Sequence, residues 1–132
     1  MKKLLLFIIL IISTMNTYSQ TNEGKKEFNS NYAHTVYFWL KNPNSKNDRS
    51  SFITSLQKFM KNSKYAKTNF IGTPPKASRE VVDGSFTFSL IVTFNSAEEQ
   101  KKYQEEKAHL KFVEESSPLW EKVIVYDSIP IN

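Results

Sequence analysis

The chain has no cysteine and only two histidines in 132 residues. Without cysteine there is no disulfide, no thiolate metal site and no sulfur nucleophile, so the fold must be held by its core alone. Two histidines without a spaced cysteine or carboxylate partner make an incomplete metal site, and no metal or cofactor is expected. The longest apolar run, Leu4 to Ile12, is nine residues, well short of the ~20 that span a bilayer. Charge of one sign is also scarce. The formal net charge is +5 and falls to about +3 once Lys2 and Lys3 are removed. Lys58, Lys61, Lys64 and Lys67 are not interleaved with exposed aromatics, which argues for a solvated face and against nucleic-acid binding.

What is present begins with a signal. Lys2 and Lys3 precede the apolar stretch, and Thr17 and Ser19 supply small residues for cleavage before Gln20. Residues 1–19 therefore read as a secretory signal peptide, and the mature chain is expected to be exported, periplasmic or secreted, with no membrane contact after cleavage. No cysteine follows the apolar run, so a lipoprotein anchor is excluded. Residues 20–32 are polar and without period, as in a flexible leader, and residues 33–132 read as one domain. Ten phenylalanines, six tyrosines and two tryptophans make an adequate core feasible.

Within the domain, HTVYFWLK at 34–41 alternates as a strand, with His34, Val36, Phe38 and Leu40 on one face and Thr35, Tyr37 and Trp39 on the other. Asn47 or Asp48 is expected to cap a helix carrying Phe52, Ile53, Leu56, Phe59 and Met60 at helical spacing. TNFIG at 68–72 is a short strand, and SFTFSLIVTF at 85–94 is a long one, with Phe86, Phe88, Leu90, Val92 and Phe94 on one face. Ser96 with Glu99 forms a capping box for a charged helix to about Lys107. A further helical segment, 110–116, stops at Ser117-Pro118, and KVIVYD at 122–127 is the last strand.

The order strand, helix, strand, strand, helix, strand predicts an α+β ferredoxin-like fold, β-α-β-β-α-β, with a four-stranded antiparallel sheet. One face of such a sheet is covered by helices. The other carries Tyr37, Trp39 and Ile91, too apolar to be left in water, so a homodimer through that face is expected.

HTVYFWLKNP at 34–43, REVVD at 79–83, YQEEKAHLKF at 103–112 and LWEKVIVYDS at 119–128 together resemble the stress-responsive A/B barrel (Dabb) domain family over about residues 33–130. The characteristic element is a Tyr, a His six residues on and a Phe three after that, then an aromatic-led strand ending in Tyr-Asp. The resemblance implies a dimeric α+β barrel with a cavity between sheet and helices. Some plant members are polyketide cyclases whose cavity is lined by a Tyr and a His of the second helix and a His at the head of the first strand. Carried over, those positions are Tyr103, His109 and His34, the candidate catalytic residues. A further histidine of those cyclases aligns with Phe88, and a proline commonly two residues before the helix histidine is Lys107 here.

A ligand pocket is expected beside these residues, lined by Val36, Phe38, Phe88 and Phe112. An imidazole next to a phenol can take a proton beside a carbonyl while the phenol donates to the developing oxyanion. The expected function is an exported dimer binding a small apolar or aromatic molecule. The alternatives are a small enzyme of cyclase-like acid/base type or of monooxygenase type, and a purely structural stress protein.

Overall fold

A computed structural model describes residues 28–29 and 31–131. The expected signal peptide and nearly all of the expected leader lie outside the described residues. The elements are β1 Tyr32–Leu40, α1 Lys46–Asn62, β2 Thr68–Gly72, β3 Phe88–Phe94, α2 Ala97–Glu105, α3 Lys107–Ser116 and β4 Trp120–Ser128. The strands form one antiparallel sheet in the order β2-β3-β1-β4. This is the ferredoxin-like arrangement, with three helices on one face in place of the two of the minimal plan.

β1 is central because both its faces are apolar. Its buried residues His34, Val36, Phe38 and Leu40 alternate with half-buried Thr35, Tyr37 and Trp39, so the helix-facing row is set by the two-residue period. Tyr32 begins the strand, one residue before the expected domain start, because it pairs with Phe94 and its ring packs edge-on against that phenylalanine at 6.1 Å.

α1 is capped by Ser45, not by Asn47 or Asp48. The Ser45 Oγ accepts from the Asp48 N–H at 3.2 Å, so the helix starts two or three residues earlier than its sequence suggests. Its apolar stripe of Phe52, Leu56, Phe59 and Met60 is buried. The capping serine of α2 behaves as expected, with Ser96 Oγ accepting from Glu99 N–H at 3.2 Å. The Glu99 carboxylate reaches one residue further back, to Asn95 N–H at 3.1 Å.

β3 is shorter than its alternation suggested. Thr87 is diverted into bonds with the end of β1, its N–H donating to Phe38 O at 2.8 Å and its Oγ1 accepting from Leu40 N–H at 3.1 Å. Phe86 therefore leaves the helix-facing row and packs against Tyr37 on the opposite face, ring to ring at 4.8 Å. The chain also breaks at Glu106, whose extended ψ of 148° separates α2 from α3.

The core is aromatic. Phe52 of α1 stacks on Phe88 of β3 at 5.1 Å with the planes 8° apart, and meets Phe38 edge-on at 4.9 Å. Phe112 of α3 stacks on Phe59 of α1 at 5.3 Å and joins the helices to each other. Phe52 and Leu56 have no exposed surface. Phe52→Ala removes a ring from the centre of this cluster and is expected to cost ~3–5 kcal/mol, lowering the melting midpoint by on the order of 15 °C, as measured by circular dichroism.

Candidate functional site

The strand period puts His34 on the helix-facing side at the head of β1, where it is 5% exposed. Antiparallel pairing sets Asp127 of β4 directly opposite, and Asp127 Oδ1 lies 2.6 Å from His34 Nδ1. A carboxylate oxygen only accepts, so Nδ1 carries the hydrogen and Nε2 is the basic nitrogen of the neutral ring. The Asp127 side chain is 37% exposed, which opens this pair to solvent at the sheet edge. Tyr32 adjoins the same carboxylate; burial first, then its bond to Asp127 and the charge there, push its phenol above the usual range.

Helical spacing brings the second histidine to the same place. Tyr103 of α2 sits 5.7 Å, ring to ring, from His34 and 5.4 Å from His109 of α3. The three candidate catalytic residues thus form one cluster, with the Tyr103 ring occupying the space between the imidazoles. Phe94 packs against Tyr103 from the sheet at 4.9 Å, and Phe59 from α1 at 5.1 Å. Tyr103 is 1% exposed. Burial, reinforced by the nearby Glu106 charge, raises its phenol well above the ordinary range, so it stays protonated at neutral pH.

His109 owes its orientation to the break at Glu106. That break frees the last carbonyls of α2, and His109 Nδ1 donates to Gln104 O at 2.9 Å. Both histidines are therefore held through Nδ1. Burial holds His109 below the usual imidazole range; His34 also lowers it, against opposing contributions from Gln104 O and Glu106.

The residues expected to line the pocket divide. Val36, Phe38 and Phe88 belong to the packed core, whereas Phe112 also lines a groove of about 790 Å³ between α1 and the α2–α3 pair. Phe59 lines that groove too and touches Tyr103 and, at 5.3 Å, His109, so one ring separates the groove from the cluster. Among the described residues no group of three or more histidine, cysteine or acidic side chains gathers as a metal site.

Asp127 and Glu106 were not singled out from sequence. For Asp127 the signal was available: the alternation of KVIVYD sets Val123, Val125 and Asp127 on one face, and antiparallel pairing with β1 brings that face to His34. Nothing local marks Glu106, because its role comes from a helix break that the charged run conceals.

The Stress Responsive A/B Barrel Domain family model matches residues 32–130. Among solved structures, a Dabb family protein with a ferredoxin-like fold from Mesorhizobium loti is 20% identical, with 76% of this chain and 97% of that one covered at a TM-score of 0.65. A hydroxynitrile lyase from Passiflora edulis is 24% identical, covering 76% of this chain and 93% of that one at 0.65. A dimeric ferredoxin-like protein of unknown function from Thermobifida fusca is 14% identical, covering 79% and 95% at 0.62. At these identities the likeness is one of fold. No curated protein matches the chain in sequence.

The lowered His109 fixes a pH dependence. Above the unfolded value of 6.5 the ring is neutral in both states. As pH falls below it, the unfolded chain takes up the proton first, so stability present above 6.5 is lost as pH drops through the folded value. The His109 imidazole is expected to titrate below 6.5 by NMR, and His109→Gln to flatten the loss of melting midpoint between pH 7 and 5. A midpoint at or above 6.5 contradicts the burial argument.

Proposed function

The chain belongs to the Stress Responsive A/B Barrel Domain family, and from that membership we propose that it acts as an exported homodimer binding a small apolar or aromatic molecule beside His34, Tyr103 and His109. The observation that carries this reading is the shared ring of Phe59. It forms part of the floor of the α1/α2–α3 groove and also packs on Tyr103 and His109, so a molecule in the groove reaches the cluster by displacing one side chain. A groove of about 790 Å³ lies in the range of small-molecule sites.

Dimerisation is supported by the sheet face turned away from the helices. Tyr37, Trp39, Ile91 and Ile124 are half-buried there, while Phe70 and Tyr126 stand 60% and 59% exposed. A contiguous apolar face of this kind is costly in water and favours self-association through a two-fold contact. The Thermobifida fusca protein of the same fold is dimeric. Export rests on the signal pattern of residues 1–19.

A second reading, proton-transfer catalysis, is favoured by the Asp127–His34 contact of 2.6 Å. Asp127 fixes the tautomer and leaves Nε2 as a general base, with the neutral Tyr103 phenol able to donate to an oxyanion. The Passiflora edulis protein of the same fold is a hydroxynitrile lyase.

Three measurements test these readings. Light scattering on the chain starting at Gln20 is expected to give twice the monomer mass, and Trp39→Glu to shift it to monomer; a wild-type monomer at micromolar concentration refutes the dimer. Native mass spectrometry of protein from its own source is expected to retain a small molecule, lost in His34→Ala. For the second reading, deuterium exchange beside the carbonyl of acetophenone is expected to slow by ~100-fold in His34→Ala, and equal rates rule it out.

A further inference from the structure

The contact between His34 and Asp127 has a third member. Tyr32 stands two residues before His34 in β1, so the strand period puts both side chains on the helix-facing row. Tyr32 lies across from Phe94 of β3, and Asp127 of β4 lies across from His34 on the other side. Two groups of β1 therefore reach the one carboxylate, His34 directly and Tyr32 on the diagonal. His34 Nδ1 donates to Asp127 Oδ1 at 2.6 Å, and the Tyr32 phenol donates to the same side chain.

The two donors and the acceptor are held unequally. Phe94 has no exposed surface and packs edge-on against Tyr32 at 6.1 Å and against His34 at 6.2 Å, so one buried ring backs both donors. The Asp127 side chain is 37% exposed, and among the described residues no lysine or arginine pairs with it. A carboxylate open to water on one side keeps its inward orientation through its donors. If it turned outward, the hydrogen on His34 Nδ1 would lose its acceptor, and a neutral imidazole without that anchor exchanges between its two tautomers.

We propose that Tyr32 is a positioning residue for His34. By donating to Asp127 it keeps the carboxylate turned inward, which keeps the hydrogen of His34 on Nδ1 and the lone pair on Nε2. The inference rests on the proton-transfer reading for its purpose, since Nε2 is the base there, and adds a residue to which that reading gives no role. Burial and the adjoining carboxylate both favour the protonated phenol, so Tyr32 remains a donor at neutral pH. The part that Tyr32 plays in packing is separable from this one, because phenylalanine keeps the ring against Phe94 and removes the hydroxyl alone.

The test is nitrogen-15 NMR of the imidazoles in the chain starting at Gln20, at about pH 8, above the ordinary imidazole range. Wild type is expected to show His34 as a single tautomer with its hydrogen on Nδ1. Tyr32→Phe and Asp127→Ala are each expected to show a mixture, with the fold checked by circular dichroism, and Tyr37→Phe on the opposite sheet face to match wild type. Deuterium exchange beside the carbonyl of acetophenone is expected to slow by ~10-fold in Tyr32→Phe through kcat, with KM unchanged. A single Nδ1 tautomer in Tyr32→Phe, a mixture in wild type, or an equal mixture in Tyr37→Phe overturns the proposal. If wild type exchanges no deuterium while Tyr32→Phe mixes the tautomers, the proton-transfer reading falls and the positioning of His34 by Tyr32 stands.

Discussion

Everything in this domain hangs on the register of β1. The strand is hydrogen-bonded on both sides, to β3 and to β4, and its two-residue period sends His34, Val36, Phe38 and Leu40 to the helices. A slip of one residue would turn Tyr37 and Trp39 into the core and His34 out of it. The aromatic contacts around Phe38 and the Asp127–His34 bond depend on the same register, so the core and the site share one constraint. With no disulfide to assist, stacked and edge-on rings from three helices and three strands close the core.

The cluster at the head of β1 shows how burial assigns chemical roles. Tyr103 is enclosed and kept protonated; His109 is half-enclosed and kept neutral; His34 is enclosed but tied to a carboxylate that itself reaches solvent. The two imidazoles share a ring neighbour, and both are anchored through Nδ1, one to a side chain and one to a main-chain carbonyl. That carbonyl is free only because α2 ends at Glu105 and α3 begins at Lys107. A continuous helix would have consumed it.

Two surfaces remain that the core does not use. The sheet face bearing Tyr37, Trp39, Ile91, Phe70 and Tyr126 is apolar and broad, which suits a second subunit. The groove beside α1 is ringed by charge, and the buried Phe59 ring separates it from Tyr103 and His109. They lie on opposite sides of the sheet, so occupancy of one leaves the other accessible.

Much of this was legible in the sequence, because alternation and helical spacing are local. They carried the element order, the ferredoxin-like α+β fold, the inward row of β1 and the caps' neighbourhoods; the scarcity of histidine marked His34 and His109, and the resemblance joined Tyr103 to them. Other features needed the folded chain. Phe86 changes face because Thr87 bonds to the end of β1, a contact 47 residues away in sequence. Asp127 becomes a histidine partner only when β4 lies antiparallel to β1. Val36, Phe38 and Phe88 fill the core instead of lining the groove, because three helices pack closely over the sheet. The sequence by itself determined which residues face inward, since that follows from backbone period and apolar burial. Only the tertiary structure decided which of those residues meet, because the contacts of His34, Tyr103, His109 and Asp127 join elements that share no local signal.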